Sequence, residues 1–564
     1  MPVSTVADLL LARRGDDHPG LVAGGRTWSW DEVVSECRVR AGVLRRLLVA
    51  GEPPHVAVLL ANRPDYLFWV GAAALAGAAV VGGNLTRRGD ELAADLRHTD
   101  SRLLVTDREG LRLLGDTDTG VPPERVLTVD GPGHGQLLAS ARAELGASGP
   151  GWPAGRDERP TEDTPLLLLF TSGSTGAPKA VICSTGRLAR IAAGAAQQLA
   201  VTRDDVVYLC MPLFHGNALM AGWAPALGQG ATVVLRLRFS ASGWLTDVRE
   251  SGATFTTYVG RALSYLLATP ATPLDAEHRL RLAFGTEASA RDIADVESRF
   301  GCEVLESYGS SEGVVSIQRS PDTPPGALGR PQPRAGSDVV VLDPDTGREC
   351  PPTALDAGGG PLDPAAVGEI VDRGGAAVFE GYYANREATT QRLRDGAFWT
   401  GDLAYRDTAG WFWFAGRSAD WLRVDSENVA TAPVERILAR HPSVALCAVH
   451  AVPDPRTGDQ VAVALQLREG ATLAAAGLSD FLAAQPDLSP KWLPSFVRVV
   501  AAIPVTGTLK ADKAPLRRDG WWAPGEVWWR PPRETALRTL TDADRALLRA
   551  EAAKHGRTHL LGGK

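Results

Sequence analysis

The apolar run Leu166–Phe170 breaks at once into "TSGSTGAPK", Thr171 to Lys179. A buried strand that gives way to two glycines, four hydroxyls and a lysine constrains this chain more than any other stretch. Gly173 and Gly176 let backbone N–H groups converge with no Cβ in the way, and converging amides form a nest for an anion. The hydroxyls of Thr171, Ser172, Ser174 and Thr175 add donors, and Lys179 adds a point charge for phosphate oxygens. The set suits a triphosphate. It is not a Walker A loop, in which the Lys is followed by Ser or Thr and opens a helix, because Lys179 lies between Pro178 and Ala180. A surface loop of ordinary turn residues has a similar composition, so the reading needs support from elsewhere in the chain.

At 564 residues the chain exceeds one ordinary core, and two or more domains are expected. Hydrophobic residues at 44% and charged residues at 22% give the balance of a soluble globular enzyme. The net charge is −7, the charges are interspersed and no polybasic block occurs, so nucleic acid is not an expected partner. The six cysteines are far apart and form no CxxC, which argues against a disulfide framework or a structural zinc and suits a reducing cytoplasm. The N-terminal "MPVSTVADLLLARRGDD" lacks the order of a secretory signal. The apolar stretch Tyr66 to Leu85 is rich in Ala and Gly and follows Pro64 and Asp65, a helix-start signal. It reads as a buried helix running into a buried strand, not as a transmembrane span.

From about residue 25 to 110, apolar runs such as "HVAVLLA", "AGAAVVGGN" and "RLLVTD" alternate with helical patterns. The rhythm resumes after Pro165 with "LLLLF", "TGRLARIAAGAAQQLA", "DVVYLCMPL", "GATVVLRLRF" and "SGATFTTYVG". This is βαβ order, which predicts α/β architecture with parallel sheets covered by helices. The Pro/Gly-rich stretch Glu349 to Glu369 reads as an exposed loop. Beyond Asp420 a helix ("APVERILARH") and two β-like runs ("VALCAVHAVPD", "DQVAVALQLRE") form a unit of about a hundred residues. A last helix is expected from Thr541 as N-cap to Gly556 as C′.

The motifs resemble those of the adenylate-forming superfamily of acyl-CoA synthetases, peptide-synthetase adenylation domains and luciferases. "TSGSTGAPK" matches its phosphate loop. "ESYGSSEG" (Glu306 to Gly313), "WTGDL" (Trp399 to Leu403), "FAGRSADWLRVDSENVATAPVE" (Phe414 to Glu435) and "PVTGTLKADKAPLR" (Pro504 to Arg517) follow in the family's order. The last motif and the long tail are most similar to fatty-acid-transport-protein-like acyl-CoA synthetases of actinobacteria. The resemblance implies a large N-terminal domain of βαβ-built sheets and helices (1–417), a small mobile α+β domain (418–520) and a tail with one helix (521–564).

It also implies ATP and Mg²⁺, with formation of an AMP mixed anhydride and release of pyrophosphate. Glu312 is the implied Mg²⁺ ligand, since a hard cation between phosphates favours carboxylate oxygen. Ser311 keeps the hydroxyl of the family's Thr toward the α-phosphate. Tyr308 and Gly309, with Gly285, Thr286 and Glu287, are the implied adenine site. Asp402 and Arg417 serve the ribose or phosphate. Lys510 stabilises transition-state charge, whereas Lys513 is expected to be a structural or solvated lysine and not a second catalyst. His215 matches a family histidine near the acid pocket, which Trp223, Tyr258, Val259 and Gly260 are expected to line or border.

Two departures from the family bear on the second half-reaction. Ser426 stands where thioester-forming members carry a Gly that lines the pantetheine tunnel, and Ala419 precedes Asp420 where the hinge often has two acidic residues. Adenylation is therefore expected more firmly than transfer to CoA. The leading expectation is a cytoplasmic acyl-CoA ligase for a small-molecule acid. The alternative is an ATP-dependent diazotase that activates nitrite and passes it to an arylamine without CoA.

Overall fold

The first apolar runs assemble into a parallel sheet. A computed structural model describes residues 4–147, 160–171, 179–286, 288, 290–356, 360–417, 422–424, 427–429, 431–455, 459–485, 488, 492–505, 511–532, 534–555, 557–558 and 561. The chain divides into two units, Met1–Val314 with Val378–Gln391, and Val315–Ala377 with Arg392–Lys564.

The first unit contains β1 (Pro19–Ala23), β2 (Arg26–Ser29), β3 (His55–Leu59), β4 (Ala79–Gly82), β5 (Leu103–Thr106), β6 (Val126–Thr128), β7 (Pro165–Thr171) and β8 (Lys179–Ser184). It continues with β9 (Val206–Leu209), β10 (Thr232–Leu235), β11 (Phe255–Val259), β12 (Leu282–Thr286) and β13 (Glu303–Gly309). One sheet runs β6-β5-β3-β4-β7-β8, parallel as far as β7, with β8 turned back antiparallel. The other runs β13-β12-β11-β9-β10-β1-β2, parallel except for β2. The strands β3, β4 and β5 are buried along their whole length, as expected of parallel strands covered on both faces.

The Ala/Gly-rich segment folds as expected. The helix Pro64–Ala76 opens with Pro in its first turn, is buried from Tyr66 to Ala76, and leads into β4. Among the described residues no helix is long and apolar enough to cross a membrane. The helix Trp30–Leu47 packs against it, started by a capping box between Ser29 and Glu32.

The second unit holds β14 (Ser316–Gln318), β15 (Arg330–Pro331), β16 (Val339–Leu342), β17 (Gly368–Asp372), β18 (Leu393–Arg394), β19 (Ala397–Arg406) and β20 (Phe412–Arg417). It continues with β21 (Leu422–Val424), β22 (Glu427–Val429), β23 (Val444–Pro453), β24 (Asp459–Leu467), β25 (Phe496–Val499), β26 (Trp528–Trp529) and β27 (Arg538–Thr539). One antiparallel sheet runs β16-β17-β19-β18 with β20 on β19, and another sheet runs β23-β24-β25-β26-β27. The last two strands come from the tail, whose Trp521, Trp529, Leu540 and Leu548 share a buried cluster with Val452 and Phe496. Thr541 caps the helix Asp542–Lys554 as expected, while Gly556 lies outside the described residues.

The stretch after Glu349 follows the sequence reading only in part: Pro351, Pro352, Ala354 and Leu362 are exposed. Cys350, Thr353 and Ala366 are buried, because bridges Leu342↔Glu349 and Thr353↔Asp407 pin the segment to its own unit. Pro and Gly content identifies a stretch without long elements, but it does not determine exposure.

Candidate active site

The candidate residues of the first unit gather at the carboxyl ends of parallel strands, where ligands bind in open α/β sheets. Thr171 and Lys179 are cross-strand partners at the mouth of the β7–β8 hairpin. The residues between them, with Ser172, Gly173, Ser174, Thr175 and Gly176, lie outside the described residues. Lys179 opens a strand, not a helix, as expected of a loop that is not a Walker A.

A segment far along the chain completes this corner. Val181 bridges Tyr382, and Tyr383 N–H donates to the Ala180 carbonyl at 2.8 Å. Tyr382 is thereby placed between two expected phosphate-side residues. Its ring centroid lies 6.0 Å from Lys179 Nζ, and its hydroxyl donates to Glu312 Oε1 at 2.7 Å. Lys179 is 9% exposed and Glu312 7%, so both charges are largely withdrawn from water. Tyr382 was not among the residues singled out from the sequence. The only signal for it is an aromatic pair, "GYY", shortly before "WTGDL".

The Ser310–Gly313 turn is held from a second side. Arg187 donates to the Ser311 carbonyl at 2.5 Å and to the Ile182 carbonyl at 2.9 Å. Glu380 lies 3.7 Å from the same guanidinium and accepts from both the N–H and the hydroxyl of Ser184, the N-cap of the helix Thr185–Gln198. Gly313 has φ +60°, and a Cβ there would lie 2.4 Å from Arg187 Nη2. The left-handed backbone favours glycine at the end of this motif, and a side chain there would also have to displace the Arg187 guanidinium.

Neighbouring strands supply the expected adenine side. Tyr258 and Gly285 are register partners, as are Val259 and Thr286. A Cβ on Gly285 would come 2.3 Å from the Tyr258 carbonyl and 2.7 Å from its ring, so this glycine lets the two strands carry a large ring at their edge. Gly260 begins the next helix, Gly260–Leu267. Tyr308 and Gly309 end β13, and Ala288 N–H donates to Glu306 Oε1 at 2.6 Å; Glu287 lies outside the described residues. His215 follows β9, half-buried, its ring centroid 4.3 Å from that of Phe214. Trp223 ends the π-helical segment Asn217–Trp223 and is buried in the core.

In the second unit, Asp402 on β19 and Arg417 on β20 are register partners, so two residues expected at the ribose share one rung of a ladder. The turn before Asp402 is fixed from within: Gly401 N–H donates to Glu369 Oε1 at 2.5 Å, and Thr400 Oγ1 donates to the Ile370 carbonyl at 2.8 Å. Burial raises the pKa of Glu369 above the usual carboxylate range, opposed by the Gly401 hydrogen bond. Lys513 pairs with Glu435 at 2.9 Å and donates to Thr431 Oγ1 at 3.0 Å, a structural engagement. Lys510, Ala419, Asp420 and Ser426 lie outside the described residues.

The profile of AMP-binding enzymes matches residues 11–383, and that of the AMP-binding enzyme C-terminal domain matches residues 433–510. The chain belongs to the AMP-binding enzyme family. It is 49% identical over 560 residues to the steroid-22-oyl-CoA synthetase of Rhodococcus jostii, covering 99% of each chain. It is 41% identical over 526 residues to the medium/long-chain-fatty-acid–CoA ligase FadD17 of Mycobacterium marinum, covering 93% of this chain and 98% of that one. ATP-bound MatB from Rhodopseudomonas palustris superposes with a TM-score of 0.75 at 25% identity, over 91% of this chain and 98% of that one.

The donor set fits a magnesium nucleotide. Among the described residues no cluster of three or more His, Cys, Asp or Glu could hold a metal by itself. Mg²⁺ characteristically takes one or two carboxylates and completes its shell with phosphate and water. A buried carboxylate, Glu312, joined through Tyr382 to the corner that holds the buried Lys179, is suited to that arrangement.

Proposed function

We propose that this chain is an ATP-dependent acid–CoA ligase whose acid is an apolar carboxylic acid of the steroid side-chain type. The observation that supports the acid class is the 49% identity, end to end, to a steroid-22-oyl-CoA synthetase. In the first half-reaction a carboxylate oxygen attacks the α-phosphorus of ATP, the bond to the bridging oxygen breaks and pyrophosphate leaves. In the second, the CoA thiolate attacks the acyl carbon and AMP leaves.

Lys179 and the hairpin loop bind the outer phosphates, and Glu312 holds Mg²⁺, which neutralises phosphate charge when bound. Tyr382 fixes the Glu312 carboxylate. Tyr308, with Gly285 and Thr286, borders the adenine; Asp402 and Arg417 receive the ribose. Lys510 stabilises charge on the reacting oxygens. His215 and Tyr258 border the acid. No observation favours nitrite and an arylamine as substrates.

The test measures pyrophosphate release and thioester formation with a steroid-22-oic acid, a long-chain fatty acid, and nitrite with an aminobenzoic acid, each with and without CoA. The steroid acid is expected to give both products, with thioester formation requiring CoA. ATP consumption with nitrite and amine, unaffected by CoA and without any thioester, would overturn the proposal.

A further inference from the structure

The ladder between β17 and β19 is interrupted at the Asp402 turn. Glu369 stands opposite Leu403 and Val371 opposite Trp399, so Ile370 alone faces Thr400, Gly401 and Asp402. Three residues against one make a bulge, a device that re-aims a side chain beside a site. A bulge takes backbone groups out of the ladder, and those withdrawn from water need other partners. Side chains supply them here. Glu369 is 5% exposed, and its Oε1 accepts the Gly401 N–H at 2.5 Å. Thr400 Oγ1 donates to the Ile370 carbonyl at 2.8 Å and accepts from the Asp402 N–H at 3.1 Å. Gly401 has φ +75°, a conformation of a turn and not of a continuous strand. On the other side of β19, Asp402 is the register partner of Arg417 on β20. Without the Glu369 carboxylate the Gly401 N–H loses this acceptor, and the bulge is free to migrate along β19. A step of one residue turns a side chain to the opposite face of its sheet.

We infer that Glu369 is a positioning residue: by holding the Gly401 N–H it pins the bulge in one register and aims the Asp402 carboxylate at the ribose hydroxyls of ATP. This rests on the proposed ligase reading, in which Asp402 receives the ribose, and extends it. Selection of a sugar that carries its hydroxyls depends on Glu369 as well as on Asp402.

The test measures the Kd of Mg²⁺-ATP and of its 2′,3′-dideoxy analogue by calorimetry on the full chain, for wild type, Glu369→Leu, Glu369→Gln and Asp402→Ala. No acid is needed, so the result does not depend on which acid the enzyme takes. Wild type is expected to bind ATP about tenfold or more tightly than the dideoxy nucleotide. Asp402→Ala should bring that ratio close to one. Glu369→Leu, which removes the acceptor, should do the same by weakening ATP while the dideoxy nucleotide binds nearly as before. Glu369→Gln retains an acceptor for the Gly401 N–H and should keep most of the preference. A purely structural role would weaken both nucleotides alike. Equal losses, or a wild-type ratio in a folded Glu369→Leu protein, overturn the inference when Asp402→Ala has lost the preference, and they leave the ribose reading standing. A preference that survives in Asp402→Ala defeats the ribose reading, and the inference falls with it. If Glu369→Leu does not fold, Glu369→Asp, whose carboxylate is one methylene short of the Gly401 N–H, takes its place under the same readings.

Discussion

Replacing Tyr382 with Phe isolates the contact that links Lys179, the proposed phosphate lysine, to Glu312, the proposed Mg²⁺ carboxylate. The ring is retained, so the packing of a side chain that is 4% exposed changes little. What is lost is the 2.7 Å hydrogen bond from the phenol to Glu312 Oε1. Hydrogen bonds to charged groups contribute about 1.5–3 kcal/mol, and here the acceptor is a carboxylate only 7% exposed. At about 1.4 kcal/mol per tenfold, adenylation should slow by roughly 10- to 100-fold, with a higher Mg²⁺ requirement because the carboxylate is no longer oriented. Pyrophosphate release, titrated with Mg²⁺ at saturating acid, reads both effects, and thermal unfolding controls for loss of fold. The pair can be tested further by a cycle with Glu312→Gln: if Tyr382 acts through Glu312, the double variant should be about as slow as Glu312→Gln alone. Full additivity of the two losses, or a Tyr382→Phe enzyme with wild-type rate and Mg²⁺ dependence, would refute the positioning role.

Lys510→Ala should remove roughly 3–4 kcal/mol of transition-state stabilisation, a hundred- to a thousandfold in pyrophosphate release; near-normal release in that variant with loss in Lys513→Ala would shift the motif reading by three residues. Stability should depend on pH through Asp95, whose side chain is fully buried beside Arg87, 2.7 Å away, with a pKa raised to about 6 by burial. Its folded pKa lies above the unfolded value of 3.8, so the fold holds the proton more tightly and stability falls as pH rises from about 4 to about 6. The difference in unfolding free energy between Asp95→Asn and wild type should therefore move in favour of the variant by up to about 3 kcal/mol from pH 4 to pH 8, and a pH-independent difference would show that the carboxyl is ionised throughout.

Much of the fold was legible because buried parallel strands read as short apolar runs and the helices between them as periodic ones. That is how β3, β4, β5, β9, β10 and β11 could be read from sequence. The candidate site was legible where chemistry is carried by local motifs. Lys179, Glu312 and Asp402 each stand in a run whose neighbours share the task. Tyr382 was hidden because its role comes from a long-range pairing with β8, which leaves no local pattern. Arg187 was hidden for a related reason: within the sequence it is one more arginine on an amphipathic helix, and only the fold shows it donating to the Ser311 carbonyl. Trp223, expected at the border of the acid pocket, ends the π-helical segment with its side chain in the same buried cluster as Tyr258.

The supports of the candidate site are built separately within each unit. In the first, the Ser310–Gly313 turn is tied by Arg187, Tyr382 and the positive φ of Gly313, all drawn from that unit. In the second, the Asp402 turn is tied by Glu369, Thr400 and the β19–β20 ladder. The departure at Ser426, outside the described residues, is expected to bear on the transfer step, in which a Cβ stands where thioester-forming members leave the backbone bare. Ser426→Gly is expected to leave pyrophosphate release unchanged and to keep or raise thioester formation, and a slower adenylation in that variant would refute the assignment.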